Sequence, residues 1–398
     1  MMCKRNQNLR GEKMIYLDTA ATTKMDSKAV EAYVFTAQNF FGNASSLHNI
    51  GGDAHHVLEQ SRQAVADFLQ VDERCVIFTS GGTESNRLAL EFLCSLLPSD
   101  KSIYINETEH PSIFKSIPNS YMDQVNVISL FNEDSLPTKK VCEETKQCGL
   151  LVVQHVNSEI GLIHNVKEII RMSAEDEILV HCDSVQSFGK LSLANVLPYV
   201  STISISAHKI GGPKGVGALI LNPTLLSKLQ LSPKEQELGL RLGTENVPGI
   251  VSFAQSILSF KEKQIPDLVL WQMRKEFLSI LKNRIPSLII LEGHESEQLP
   301  TIIGCIIPGL EGQWVMLEAN RKGVALSTGS ACQAGMQTIS PMIKNYTKST
   351  EEALGYFRIS FDSSTTLQEL KQAALVLVEI YEDWHSKERI WHNEKVTR

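Results

Sequence analysis

Short apolar runs recur through much of the chain, at 76–79, 102–105, 125–130, 150–156, 178–180, 202–205 and 216–221. Runs that are apolar throughout, instead of alternating with polar residues, suit strands covered on both faces. Helical patterns lie between several of them, for example at 83–97 and 166–174. Earlier, residues 51–70 place Ala54, Val57, Leu58, Val65, Phe68 and Leu69 near helical spacing, which predicts an amphipathic helix. Strands alternating with helices predict a mostly parallel sheet, so the central portion reads as α/β. After about residue 265 the texture changes: long helical stretches at 268–284 and 367–384 flank short strands near 287–291, 301–307 and 357–361, an α+β arrangement. No internal repeat or low-complexity segment interrupts the pattern, and no linker is rich enough in Pro or Gly to separate independent modules.

Composition narrows the class. A length of 398 residues allows two or three domains. A hydrophobic content of 42% and a charged content of 21% are those of an ordinary soluble globular protein. The net charge of -7 argues against direct nucleic-acid binding, which needs a basic face, though a partner that carries RNA stays open. Residues 1–13 are polar and basic without the apolar centre of a secretory signal, and read as a disordered extension or a misassigned start. The longest apolar stretches, such as 301–310, fall short of the ~20 residues of a membrane span, so a cytoplasmic protein with no membrane partner is expected. The eight cysteines, Cys3, Cys75, Cys94, Cys142, Cys148, Cys182, Cys305 and Cys332, are scattered without a CxxC pair, so neither a metal site nor a disulfide framework is suggested. Most should be small buried hydrophobes.

Candidate chemistry gathers where strands end. Lys209, in Ser206-Ala207-His208-Lys209, follows the apolar run 200–206 and precedes Gly211-Gly212-Pro213-Lys214-Gly215. A lysine held desolvated there falls below its usual pKa of ~10.4 and attacks carbonyls as a Schiff-base lysine; a solvated surface lysine is the alternative. Ser80-Gly81-Gly82-Thr83-Glu84-Ser85-Asn86 joins a strand to a helix and either cradles a phosphate on backbone N–H groups or merely caps the helix. Asp183 ends the strand that begins at 178, where open α/β sheets bind their ligands, and either holds a ring nitrogen protonated or caps a helix. Gln186 is placed to donate to a ring oxygen. His110, in Glu109-His110-Pro111, either stacks on a flat ring or is structural, and Asn157 ends another apolar strand. Five strand ends thus deliver an anion-binding turn, a stacker, an amide, a carboxylate and an amine to one rim. Pyridoxal phosphate catalysis uses all five.

A thiol and a guanidinium come from the second part. Cys332, in Ser327-Thr328-Gly329-Ser330-Ala331-Cys332-Gln333-Ala334-Gly335, is surrounded by small residues that leave it exposed, on a connection long enough to be a loop. Within that connection Ser349-Thr350-Glu351-Glu352 has the form of a capping box. Arg358, in Phe357-Arg358-Ile359-Ser360, either pairs bidentately with a substrate carboxylate or forms a structural ion pair.

Taken in order, Tyr16-Leu17-Asp18-Thr19-Ala20-Ala21-Thr22-Thr23, Phe41-Gly42-Asn43-Ala44-Ser45-Ser46-Leu47-His48, the Ser80 turn, Glu109-His110, Asp183-Ser184-Val185-Gln186, Ser206-Ala207-His208-Lys209, Arg241-Leu242-Gly243-Thr244, Gly329-Ser330-Ala331-Cys332 and Arg358 make the chain resemble a cysteine desulfurase of the NifS/IscS type, from about residue 14 to about residue 380. The resemblance implies the fold-type-I architecture of pyridoxal phosphate-dependent transferases in the class V aminotransferase group: a large, mostly parallel mixed-sheet domain plus a smaller α+β domain. The expected division is an extension at 1–13, an N-terminal segment at 14–30 packing with the small domain, a large domain at 31–262, and a small domain at 263–398 carrying the cysteine loop.

By the same resemblance, Lys209 holds the cofactor, His110 stacks on its ring and assists proton shifts, Asp183 pairs with the ring nitrogen, and Gln186 and Asn157 contact the ring oxygen or substrate. Gly82, Thr83, Ser206 and His208 bind the phosphate, joined by Thr244 from the other subunit of a homodimer. Arg358 holds the carboxylate of L-cysteine. Cys332 attacks the substrate sulfur and keeps it as a persulfide for an acceptor protein while alanine leaves, as in the family's long-loop branch. Ala44, Ser184 and Phe361-Asp362-Ser363-Ser364 depart from the family pattern, which puts the choice of acceptor in question and points to a specialised paralogue serving tRNA thiolation or one iron–sulfur route. A selenocysteine lyase or aminotransferase of the same fold, and a non-catalytic sulfur-relay or scaffold subunit, are the competing readings.

Overall fold

The computed structural model describes residues 14–129, 147–172, 178–228, 231–232, 235–328 and 339–396. A two-residue strand β1 (Ile15–Tyr16) opens the fold, followed by helices α1 (Ser27–Asn39) and α2 (Asn49–Leu69). The large sheet comprises β2 (Val76–Thr79), β3 (Ser102–Asn106), β4 (Val125–Ile128), β5 (Cys148–Gln154), β6 (Leu179–Asp183), β7 (Thr202–Ser206) and β8 (Gly217–Leu221), in the order β2-β8-β7-β6-β5-β3-β4. Neighbours from β7 through β4 pair in parallel, whereas β8 runs antiparallel to both β7 and β2. With β8 alone reversed, β2, β3, β5, β6 and β7 all end at one rim.

The central strands are covered on both faces, as the sequence suggests. Every residue of β2, β5, β7 and β8 is buried, because helices cover both faces. On one face, Leu151, Val153, Ile203 and Ile205 meet Leu58 and Val65 of α2 and Phe253 and Ile257 of the helix Val247–Glu262. On the other, Ile103, Leu150, Val152 and Leu219 meet Ala89, Leu90 and Leu93 of α3 (Gly82–Ser95).

A smaller sheet, ordered β12-β10-β9, is antiparallel: β9 (Ile289–Leu291), β10 (Ile302–Ile306) and β12 (Tyr356–Ser360). Its core joins Ile303, Cys305, Phe357 and Ile359 to Phe277 and Leu281 of the helix Asp267–Arg284 and to Leu370, Ala374 and Leu377 of the helix Leu367–Val396. Ile15 and Leu17 enter this core, and β1 pairs in parallel with β11 (Val324–Ala325). Ser349 caps the short helix Thr350–Leu354 by accepting from Glu352 N, while Glu352 reaches back to Lys348 N at 2.6 Å, one residue earlier than the box pattern places it. No described helix is long and apolar enough to cross a membrane.

Two features lie outside the sequence reading and have physical causes. Helix α1 carries no inward stripe: Ala29 and Thr36 are buried, whereas Val30, Tyr33, Val34 and Phe35 are exposed. Its apolar periodicity therefore predicts no core-facing helix. Glu237 and Leu238 adopt left-handed backbone conformations, with φ of 45° and 57°, which non-glycine residues keep only when their surroundings hold them. The holder is buried. Glu237 accepts from Arg62 Nη1 and Nη2 at 2.9 Å each, and from the β2 amide Phe78 N at 2.6 Å.

Removing one partner of such a pair strands the other charge in the interior. Glu237→Ala should lower the unfolding free energy by about 3 kcal/mol, measured by urea unfolding followed by circular dichroism. Replacing Arg62 and Glu237 together with Met and Leu should cost less than that single change; an equal or larger loss would remove the ion pair from the explanation.

Candidate active site

The turn from β2 into α3 leaves the helix start open. Gly81, the residue before the helix, has φ 143° and ψ -178°, and no side chain caps the first N–H groups. A Cβ on Gly82 would lie 2.5 Å from Val185 Cγ2, so only glycine lets the helix start press against the loop after β6. At the end of β7, Ser206 is fully buried and its Oγ has no hydrogen-bond partner. That hydroxyl lies 3.8 Å from where a Gly81 Cβ would stand. Uncapped helix N–H groups and a partnerless buried hydroxyl together form an anion cradle. Thr83 is exposed on the first turn, and His208 is half-buried, its Nδ1 3.1 Å from Thr22 Oγ1. Burial, and then the nearby Lys209, Lys214 and Lys190, push His208 down to about 4, so it is neutral.

Asp183 at the end of β6 belongs to a network of neutral groups. Its Oδ1 accepts from Val185 N at 3.0 Å and its Oδ2 from Asn86 Nδ2 at 2.9 Å. Asn86 Oδ1 faces His181 Nε2 at 3.0 Å, which fixes the imidazole proton on Nε2, while His181 Nδ1 accepts from Thr202 Oγ1 at 2.8 Å. Burial pushes His181 down to about 4. Asn86 Nδ2 also donates to Ser112 Oγ at 2.9 Å, and that hydroxyl donates to His110 Nδ1 at 2.7 Å. The same ring nitrogen accepts Ser112 N–H at 3.1 Å, so His110 carries its proton on Nε2. Burial holds His110 below its ordinary value, against the pull of Asp183.

Lys209 closes a single turn of 3-10 helix after β7. Its Nζ donates to Ala20 O at 2.5 Å and Ala21 O at 3.0 Å, two carbonyls of the segment entering from β1. Burial first, then the cations Lys190 and Arg358, lower it to about 7, against the weaker opposite pull of Asp183 and Asp18. Gln186 Nε2 donates to the same Ala20 O at 2.8 Å.

Asn157, buried after β5, spends its Oδ1 on the N–H groups of Glu159 and Ile160, which leaves its amide nitrogen to donate. The next carbonyl, Ser158 O, accepts from Arg358 Nη1 at 2.8 Å, while Arg358 Nη2 meets Asp18 Oδ1 at 2.7 Å. Arg358 Nε is buried without a partner. The structural ion pair therefore exists, and guanidinium N–H groups are left over, that of Nε among them.

The structure thus brings Gly82, Ser206, His208, Lys209, Asp183, Gln186, His110, Asn157 and Arg358 around the rim where β2, β3, β5, β6 and β7 end. Thr244 stands exposed on the loop before the helix Val247–Glu262, outside this hydrogen-bonded group. Cys332 lies outside the described residues. Cys75, Cys94, Cys148, Cys182 and Cys305 are all buried; burial pushes Cys75 and Cys94 up to about 11, Cys305 up to about 12, and Cys182 up as well. Among the described residues no three His, Cys, Asp or Glu converge as metal ligands.

Sequence reasoning missed Asn86, Ser112, His181 and the Ala20 and Ala21 carbonyls. Asn86 had a signal, since it shares the inward face of α3 with Ala89, Leu90 and Leu93. The carbonyls had none. Chemically, the arrangement offers an anion cradle, a carboxylate held by amides, an amine that is half neutral near pH 7 and a partly committed guanidinium.

Comparison with known proteins places the chain in a family. Residues 15–373 match the family described as Aminotransferase class-V. A Bacillus subtilis (strain 168) protein provisionally named cysteine desulfurase NifS is 40% identical over 370 residues, covering 90% of this chain and 92% of its own. The cysteine desulfurase IscS of Dictyoglomus turgidum is 30% identical over 377 residues, covering 92% and 94%. A solved structure of SspA in complex with cysteine superposes with a TM-score of 0.71 at 27% identity, covering 87% of this chain and 98% of that one. The chain belongs to the class-V aminotransferase family and, within it, to the cysteine desulfurases of the NifS/IscS type.

Proposed function

We propose that the protein is a pyridoxal phosphate-dependent cysteine desulfurase, converting L-cysteine to L-alanine and leaving the sulfur as a persulfide on Cys332 for an acceptor protein. The observation that carries this reading is the Lys209 amine, buried on the Ala20 and Ala21 carbonyls and lowered to about 7. The residues present fit the cofactor. Its phosphate suits the α3 N-terminus with the partnerless Ser206 hydroxyl and His208, and its ring nitrogen suits Asp183, whose hydrogen bonds come from amides. Gln186 and the free amide nitrogen of Asn157 suit the ring oxygen, and His110 the ring face. When bound, pyridoxal phosphate supplies an aldehyde that condenses with amines and a pyridinium ring that withdraws electrons from the substrate Cα.

The side chains do the rest. Lys209, neutral above about pH 7, takes the Cα proton and returns it. His110 Nε2–H is fixed toward the site by the Ser112 contacts. The spare Arg358 donor meets the substrate carboxylate. A thiolate then takes the sulfur: the Cys332 S–S bond forms, the substrate C–S bond breaks, and its electron pair stays with the departing carbon. The buried thiols with raised values are poor candidates, and of the remaining cysteines Cys332 is the one set among small residues in Gly329-Ser330-Ala331-Cys332.

A selenocysteine lyase or aminotransferase would share Lys209 and Asp183, but transamination has no use for Cys332. A non-catalytic scaffold would need neither Lys209 nor its lowered basicity. The acceptor belongs to iron–sulfur cluster assembly or tRNA thiolation. A homodimer accounts for the exposed Phe35, Phe41, Leu47, Ile50 and Leu242, an apolar surface uncommon on a monomer, and puts Thr244 beside the partner's phosphate site.

Cys332→Ser should retain the yellow absorbance of the bound cofactor yet form no sulfide or persulfide from cysteine; full turnover by this variant would overturn the assignment. In the same variant, exchange of the cysteine Cα hydrogen with deuterated solvent isolates the Lys209 step. Because the protonated amine cannot accept a proton, exchange should fall about tenfold per pH unit below about pH 7, and a flat profile there would assign the base elsewhere. Asn86→Ala removes a donor from the Asp183 carboxylate, and should weaken cofactor binding about tenfold, read by absorbance titration of cofactor-free protein.

A further inference from the structure

A second lysine stands behind Lys209 without a part in the chemistry above. Lys190 Nζ donates to Gln186 Oε1 at 3.4 Å, and Gln186 Nε2 donates to Ala20 O at 2.8 Å. The same carbonyl receives Lys209 Nζ. One side-chain amide and one backbone carbonyl therefore separate the two amines. Both amines line a cavity of about 780 Å³ bounded by residues 19–31, the start of the helix Asp267–Arg284 and the 361–364 turn. Asp362, the carboxylate acting on Lys190, spends its Oδ1 on Ser364 N at 2.8 Å and Ser364 Oγ at 2.6 Å. Among the described residues Lys190 has no ion-pair partner.

We propose that Lys190 is a positioning residue for Lys209: its ammonium, tied through Gln186 to the Ala20 carbonyl, is the like charge that keeps the Lys209 amine neutral and ready to react. The inference rests on Lys209 being the cofactor's lysine. The charged and titratable groups facing Lys209 are Lys190, Arg358, Asp183, Asp18, His110 and His208; those facing Lys190 are Lys209, Asp362, Arg358 and His208. Arg358 is already offset by Asp18 at 2.7 Å, so Lys190 is the cation whose repulsion is least compensated. Burial lowers both lysines, Lys209 to about 7 and Lys190 to about 8. A carboxylate, Asp362, is the leading charge on Lys190 and supports its ammonium, whereas cations lead on Lys209, so the mutual repulsion is relieved by loss of the Lys209 proton. An adjacent cationic group is a general means of activating a lysine.

The test uses cofactor-free protein and trace acetic anhydride, with acetylation of the Lys209 peptide followed by mass spectrometry from about pH 5 to about pH 10. Wild type should show a midpoint near 7. Lys190→Met should raise it by on the order of one unit, so that labelling near pH 7 drops about fivefold. Lys190→Gln, which can still hydrogen-bond to Gln186 but carries no charge, should behave as Met does, whereas Lys190→Arg should keep the wild-type midpoint. Unchanged midpoints in Met and Gln, or an Arg variant that shifts as far as they do, would overturn the proposal. Since no turnover is measured, that outcome would leave the desulfurase reading untouched, and full turnover by Cys332→Ser, which overturns that reading, would leave Lys209 as the cofactor's lysine and this proposal standing.

Discussion

The Lys209 amine is held by two backbone carbonyls, and most of the site depends on where those carbonyls stand. They belong to neither sheet. The segment that bears them pairs at Leu17 N with Ala325 O, takes the Ser360 hydroxyl at Ala20 N, and then docks Thr23 N on His208 O and Asp26 N on Gly211 O. It straps the small sheet to the loop that follows β7. A carboxylate in place of Ala20 O and Ala21 O would fix the lysine as an ammonium ion. Carbonyl dipoles orient the amine without supplying a full counter-charge, so burial prevails. The same strap carries Asp18, so the lysine and the Arg358 guanidinium are positioned by neighbouring residues of one extended segment.

Around that amine the fold keeps its imidazoles neutral. His110, His155, His164, His181 and His208 are each pushed below the ordinary histidine value, with burial the leading cause. Neutral rings have a donor and an acceptor side. The chain from Thr202 through His181 and Asn86 to Asp183 and Ser112 works only with that polarity, and it ends by choosing which nitrogen of His110 keeps its proton. An imidazolium at His110 would put a donor against the Ser112 N–H. The network thus does for orientation what an ion pair would do, without adding buried charge beside Asp183.

The sheet and its rim were legible because their causes are local. Short, mostly apolar runs between helical patterns suit strands covered twice, and a parallel arrangement sends Ser80, His110, Asn157, Asp183 and Ser206 to the same end. Lys209 was legible for the same reason, as the first strongly basic residue past β7. What stayed hidden is what depends on distant backbone. Ala20 and Ala21 look like filler until the strap is folded. Helix α1 left no inward stripe because its apolar side chains point away from this chain's own core. Arg358 admitted two readings from sequence, and the structure shows that one guanidinium can satisfy the ion pair and still hold back a donor.

That divided arginine fits the charge balance of the site. Lys190, Lys209 and Arg358 are set against Asp18, Asp183 and Asp362, while burial pushes Glu109 and Glu159 toward the neutral acid. With Lys209 protonated the cations only match the carboxylates, and with it neutral they fall one short, so no excess positive charge awaits an incoming anion. A phosphate must then find its compensation in the N–H groups of α3 and the Ser206 hydroxyl, and a substrate carboxylate in the remaining Arg358 donor. Neither anion needs to displace Asp18 or approach Lys209 as a counter-ion. The reactive amine can therefore stay neutral while two anions bind within its reach, which a site built on excess positive charge could not arrange.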